Sequence, residues 1–196
     1  MKEREGVVKF HLEHVDAPLP SNPALAALMR LRDTLRKQGL VGVNEQGVGY
    51  GNVSIRHDAD RFIISGTNTG RFFQLPQDGY CLVDGCDLRA NRVRSQGPVA
   101  ASAESLTHYA VYAVNPEIGC VIHVHSSALF ERLLHGDVPS TPEDVPYGTP
   151  AMAESVRVIA STMSSGVIVM AGHDEGLLAL GKDCQTAHAV LMSCIS

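Results

Sequence analysis

The sequence predicts an α/β domain, a mixed sheet with helices packed on it. Three observations predict it. Segments with helical spacing of apolar residues occur near the start, in the middle and at the end of the chain. Short apolar runs separated by turn residues lie between them, in a rhythm closer to hairpins than to a βαβ repeat. One run, GCVIHVHS, reads as a buried strand that carries two histidines.

In chain order, Val7 to Glu13 alternates apolar and polar residues, as an edge strand or an arm would. It falls within residues 1–20, read as an N-terminal arm on a single domain spanning 1–196. Pro23 to Lys37 places Leu25, Leu28, Met29, Leu31, Arg32 and Leu35 in near-helical order. Ser21 or Asn22 is available as its cap, and Gly39 as its stop. VGYGNVSIRH is a glycine-rich approach to a strand, RFIIS a second strand, SGTNTG a turn, and YCLVD a third strand. Ser102 to Val114 predicts a helix, with Leu106, Tyr109, Ala110 and Ala113 on one face, Ser102 as N-cap and Asn115-Pro116 as the stop.

The GCVIHVHS strand follows. His135 to Pro150 holds four prolines and predicts a long ordered loop. Ala151 to Met163 reads as a helix. GVIVMAGHDEGLLALG reads as strand, turn and strand, with the turn at Gly172–Gly176, and Asp183 caps a last helix.

Composition narrows the function. A chain of 196 residues suits one domain. The formal net charge of −5 argues against a nucleic-acid partner, which needs a basic field, yet allows an anionic metabolite held by backbone N–H groups, a metal ion or a few local cations. The five cysteines are odd in number, irregularly spaced and contain no CxxC pair, which points to free thiols in a reducing cytoplasm. No run of about 18 apolar residues is present, so no spanning helix is expected, and the N-terminal residues lack the apolar run of a signal peptide.

Residues i and i+2 of a strand share a face, so His123 and His125 project side by side while Ile122 and Val124 pack the other way. Two imidazoles so placed can close on one metal ion; the plain alternative is two hydrogen-bonded or partly exposed histidines. A third ligand is needed, because catalytic zinc commonly takes three protein ligands and an open position. His173, at the end of an apolar strand and the mouth of a turn, can reach a neighbouring strand, although turn histidines are common. His11, His14, His57 and His135 lie in polar or loop contexts and read as solvated; His188 reads as surface or core. Three neutral imidazoles leave the +2 charge uncompensated, which suits a Lewis acid, and the absence of a carboxylate cluster favours a transition metal. Glu104 opens the helix that leads to the His-x-His strand. The helix dipole alone would explain an acid there, but a buried carboxylate beside a metal could also shuttle a proton.

Together these residues resemble the class II aldolase/adducin family. ASAESLTHYAVYAVNPEIGCVIHVHS looks like its core signature, with Glu104 preceding His123 by 19 positions. YGNVSIR looks like its Gly-Asn-x-Ser segment, SGTNTG like its Thr-x-Thr-Gly turn, and MAGHDEG occupies the place of the third metal histidine. The resemblance, covering about Leu25 to the C-terminus, implies a three-layer α/β/α fold around a mainly antiparallel sheet. It implies a homotetramer with active sites near subunit interfaces, zinc or another divalent transition metal on His123, His125 and His173, and Glu104 as the acid/base. Gly51, Asn52, Thr69, Gly70 and Ser102 would bind the substrate's phosphate.

The implied activity is aldol cleavage of a small hydroxy-carbonyl compound, phosphorylated or not, through a zinc-stabilised enediolate. A metal-dependent dehydratase or epimerase acting on a sugar phosphate, and a non-catalytic adducin-like interaction module, are the alternatives. Four departures from the family's aldolases stand out. Ala103 replaces the second serine before the glutamate. The SGTNTG turn is longer, so that Ser65 and Gly66 compete for the anchoring role. Tyr147 is the one tyrosine offered by the loop after the His-x-His strand. The tail that completes the site in those enzymes has no counterpart expected here.

Overall fold

The structure, a computed structural model, describes residues 7–195. Its strands are β1 (His11–Val15), β2 (Gly42–Val43), β3 (Gly49–Tyr50), β4 (Asn52–Arg56), β5 (Phe62–Ser65), β6 (Tyr80–Asp87), β7 (Arg92–Gln96), β8 (Cys120–His125), β9 (Gly166–Val169) and β10 (Gly176–Gly181). Its helices are α1 (Leu25–Lys37), α2 (Ser105–Val114), α3 (Ser127–Leu134), α4 (Pro150–Ala160) and α5 (Cys184–Ser193). Eight strands form one sheet in the order β1-β7-β6-β5-β4-β8-β10-β9, and β2 pairs with β3 in a short separate ribbon. Every pairing in the large sheet is antiparallel except β1 with β7.

Two apolar clusters sandwich this sheet. Leu28, Leu31 and Leu35 of α1 and Leu191 of α5 pack on Val53, Ile55, Ile122 and Val124 on one side. Leu106 and Ala110 of α2 and Met152 and Val156 of α4 pack on Phe62, Ile64, Val121 and Leu178 on the other. The expected three-layer α/β/α arrangement around a mainly antiparallel sheet is therefore what the chain forms. Strand alternation assigns the layers: Ile122 and Val124 belong to the α1/α5 side, and Val121 to the α2/α4 side.

Several boundaries differ from expectation. The helix expected from Ser102 begins at Ser105, with Glu104 in the cap position. Ser102 instead closes a turn, its carbonyl accepting from the Ser105 amide at 3.1 Å and the Ser105 hydroxyl at 2.7 Å. Strand β7 (RVRSQ) escapes a hydropathy reading because only Val93 among its apolar candidates faces inward. Helix α3, capped by the Ser126 hydroxyl accepting from the Leu129 amide, occupies residues that follow the His-x-His strand without a break. The proline-rich loop after it is ordered because it borders the sheet: Val169 donates to Pro139 O, and Thr141 donates to Val169 O, each at 2.9 Å. The N-terminal alternation is indeed a strand, shifted to His11–Val15 at the sheet's edge. Asn22 shapes the approach to α1, its side-chain oxygen accepting from the Ala24 amide at 2.8 Å.

Candidate metal centre

Register brings the site together. β8 lies between β4 and β10, with His123 opposite Asn52 on one side and Leu178 on the other, and His125 opposite Gly176. The β9–β10 turn carries His173, whose amide donates to Met170 O and whose carbonyl accepts from Gly176, each at 2.8 Å. The turn packs so tightly on the proline-rich loop that a Cβ at Gly172 would stand 1.8 Å from Val145 O.

The three imidazoles meet as expected. Ring centroids of His123, His125 and His173 stand 4.9, 5.0 and 4.7 Å apart. All three are buried. The Nε2 atoms of His123 and His125 are 3.1 Å apart, and candidate ligand atoms of all three lie within 4.8 Å of one another. Ligands at about 2.0–2.1 Å from a tetrahedral zinc stand about 3.3 Å from each other, so the cluster fits one such ion after small side-chain rotations. His123 Nδ1 lies 3.2 Å from Leu177 O, and with the proton on Nδ1 this contact turns its Nε2 lone pair into the cluster. Burial, then the neighbouring His125 and His173, push the His123 pKa well below the usual imidazole value, which keeps it in the neutral, ligating form.

Glu104 is buried at the N-terminus of α2, and its Oε2 accepts from Thr107 Oγ1 at 2.7 Å. It shares with His123 a cleft of about 410 Å³, including its open mouth. Gly51, Asn52, Thr69, Gly70 and Ser102 all line that cleft, together with Ala103 and Tyr147. Of the two rival anchors, Gly66 reaches the cleft, whereas Ser65 is spent in the sheet, its hydroxyl accepting from the Val53 amide at 3.2 Å. His125 faces a second, wider opening with Tyr50, Ser126, Asp174 and Glu175 on its walls.

The cradle beside His123 is made largely of backbone. Gly51 has a φ of +73°, and a Cβ there would meet Val41 and the carbonyls of Leu40 and His123 at about 3 Å. At Gly70 a Cβ would stand 1.9 Å from Gly42 O. The Thr69 hydroxyl donates to Gly66 O at 2.8 Å, so its proton stays within the turn. The buried Oδ1 of Asn52 has no partner among the described residues, which leaves a polar group in the cleft for a ligand.

Three sets of contacts are not legible from periodicity. Arg32, buried in α1, donates to Thr69 O at 2.6 Å and Phe73 O at 3.3 Å, and Arg36 donates to Gly70 O at 2.9 Å, so two helix residues hold the cradle's carbonyls. His108 is buried beneath the cleft, its Nδ1 2.7 Å from Ser54 Oγ, which is 2.8 Å from Tyr112 OH. Burial lowers the His108 pKa to about 3. Lys9 comes from the arm to Tyr147, whose ring stacks on His173. The spacing E-x-x-x-H, one helical turn, is the signal that could have found His108. Of the histidines read as solvated, His11 and His135 are exposed; His14 is half-buried with Nδ1 2.9 Å from Ser95 Oγ, and His57 is half-buried near Asn22.

No helix among the described residues is long and apolar enough to cross a membrane. Solved structures share the fold. L-fuculose-1-phosphate aldolase from Thermus thermophilus is 19% identical, with a TM-score of 0.64 over 86% of this chain and 87% of that one. YgbL from Klebsiella pneumoniae, a candidate aldolase/epimerase/decarboxylase, is 18% identical, with a TM-score of 0.66 over 87% and 84%. An aldolase II superfamily protein from Pseudomonas syringae is 16% identical, with a TM-score of 0.61 over 89% and 76%. No curated protein matches the sequence significantly. The sequence model of the class II aldolase and adducin N-terminal domain matches residues 33–194, most of the chain, and the chain belongs to that family.

Proposed function

We propose that this protein is a divalent-metal-dependent lyase, with zinc its first-choice ion, that cleaves a carbon–carbon bond in a small hydroxy-carbonyl compound. One observation carries the reading: three buried imidazoles lie within ligating reach of one another, and one of them, His123, shares a cleft with the buried carboxylate of Glu104. His123, His125 and His173 would hold the ion, and the ion when bound supplies Lewis-acid stabilisation of negative charge developing on substrate oxygens. Glu104 moves the proton. The Thr107 hydroxyl fixes the orientation of its buried carboxylate for that transfer. Gly51, Asn52, Thr69, Gly70 and Ser102 seat the anionic or hydroxylated end of the substrate, and the partnerless Asn52 oxygen supports that assignment.

Family membership supports a homotetramer with sites near its interfaces, and five free cysteines support a reducing, cytoplasmic setting. The test is elemental analysis of protein purified without a nickel column, followed by product analysis on a panel of hydroxy-carbonyl compounds. We expect close to one metal ion per chain and two carbonyl products from one substrate. Loss of water or inversion at a carbon centre would instead assign a dehydratase or an epimerase. Protein that takes up no metal after reconstitution at neutral pH would leave the histidines structural and move the assignment to an interaction module.

A further inference from the structure

The turn that carries His173 is only partly held by the sheet. Its backbone makes one tight turn between β9 and β10, and the imidazole projects from it to meet two rings on β8. Tyr147 packs against that imidazole from outside, its ring stacked on it with centroids 4.4 Å apart and planes 19° from parallel. Tyr147 itself sits in a loop, just before Gly148, which has a φ of +66°.

That loop is gripped by the N-terminal arm. Lys9 Nζ lies 3.7 Å from the centroid of the Tyr147 ring and donates to Tyr147 O at 3.0 Å. At these distances the ammonium and the imidazole cannot occupy one face of the ring, so Tyr147 is sandwiched between them. Lys9 is in turn anchored, because its carbonyl accepts from Asn91 Nδ2 at 2.9 Å and the next residue, Phe10, is buried. Asn91 O accepts from the His11 amide at 2.8 Å, which starts the pairing of β1 with β7. A continuous set of contacts therefore runs from the sheet's far edge strand to the third imidazole. Lys9 also lies outside the part of the chain that the family's sequence model matches.

We propose that Lys9 is a positioning residue that, through Tyr147, holds the His173 ring in ligating orientation and so slows the release of metal from the site. This rests on the metal reading above. A cation over an aromatic face and a hydrogen bond to the same residue's carbonyl both oppose movement of the ring. Outer partners of metal-bound histidines commonly change metal affinity about 10–100-fold. Lys9 acts one residue further out, so the lower part of that range is expected.

The experiment loads full-length wild type, K9M, K9R, Y147A and H173A with zinc and follows zinc release into excess chromophoric chelator. Cobalt(II)-loaded samples are compared by visible spectroscopy, because the d–d bands report ligand geometry. Wild type should release slowly, K9M about 10-fold faster, Y147A faster still, and H173A fastest, with K9R close to wild type. K9M should also alter the cobalt bands, which loss of arm packing alone would not do. K9M with the wild-type release rate and spectrum would overturn the proposal. K9R as fast as K9M would overturn it too, since the cation would then not be the cause. Wild type that takes up no zinc would sink the metal reading itself, and the proposal with it. That result is distinct from stoichiometric zinc whose release ignores Lys9. Y147A keeps the test decisive should the arm rearrange in K9M: zinc release from Y147A at the wild-type rate also overturns the proposal.

Discussion

The imidazole cluster and the backbone cradle, which meet at His123, form two walls built from different materials. The imidazole wall is side-chain chemistry fixed by strand register, with His123 and His125 on one face of β8 and His173 brought in by the β9–β10 turn. The other wall is backbone, made of Gly51, the Thr69–Gly70 turn and the Gly66 segment, with the Thr69 and Gly70 carbonyls held by Arg32 and Arg36. Removing a ligand from the first wall should erase a function and spare the fold. Adding an atom to the second should damage the fold and spare the metal. That contrast can be broken experimentally.

The largest effect is expected at the imidazole wall. His123→Ala removes a proposed ligand whose contacts are Leu177 O and the two neighbouring imidazoles, so the protein should stay folded while zinc affinity falls by more than about 100-fold. Equilibrium dialysis with zinc, beside circular dichroism, checks both halves. A variant that keeps one zinc per chain would remove His123 from the ligand set. Next comes Glu104→Gln, which preserves shape and the acceptor for Thr107 but cannot exchange a proton. Metal content should not change, and turnover of an identified substrate should fall about 10²–10⁴-fold. Full activity in this variant would deny Glu104 the acid/base role.

The backbone wall gives the converse. Gly70→Ala puts a methyl group 1.9 Å from Gly42 O, and neither backbone segment can yield cheaply because Arg36 already ties Gly70 O. Destabilisation of about 1–3 kcal/mol is expected, read as a lowered urea midpoint, with zinc stoichiometry retained. A variant as stable as wild type would show that the two segments are not pressed together. Loss of zinc from the folded variant would show that the walls are not independent.

The same contrast explains what was legible in the sequence. His123 and His125 could be placed because the strand period is fixed, so spacing converts directly into direction, whereas Glu104 stands at the cap of α2, outside the helical period. Gly51 and Gly70 could be named only through the resemblance, since nothing in a glycine states which backbone it lies against. Arg32 stands among the apolar positions of α1, and its inward direction follows from that pattern, but its partners Thr69 and Phe73 are about forty residues away along the chain. Strand β7 and helix α3 were opaque for a related reason: one inward valine and one capped apolar octet carry too little periodic signal to be separated from loop. Tyr147 was visible as a lone tyrosine, whereas its place between Lys9 and His173 arises from three segments that meet only in the folded chain.

The smallest expected effect concerns pH, and it separates the walls without touching either. His108 lies beneath the cleft, and burial lowers its pKa to about 3, whereas an unfolded histidine titrates near about 6.5. Between those values the unfolded chain binds the proton and the folded chain does not, so the folded state loses stability as pH falls through this window and regains it as pH rises. His123 in metal-free protein acts in the same direction. The backbone wall has no ionisable group that titrates there. Urea unfolding of metal-free wild type between pH 5 and 6.5 should therefore show stability rising with pH, with His108 contributing up to about 1.4 kcal/mol per pH unit. His108→Asn should cut that slope by about one proton while lowering stability at every pH, because Ser54 Oγ loses its 2.7 Å partner. An unchanged slope in the variant would mean that His108 takes up a proton in the folded protein at the same pH as in the unfolded chain, and the buried neutral imidazole beneath the cleft would have to be abandoned.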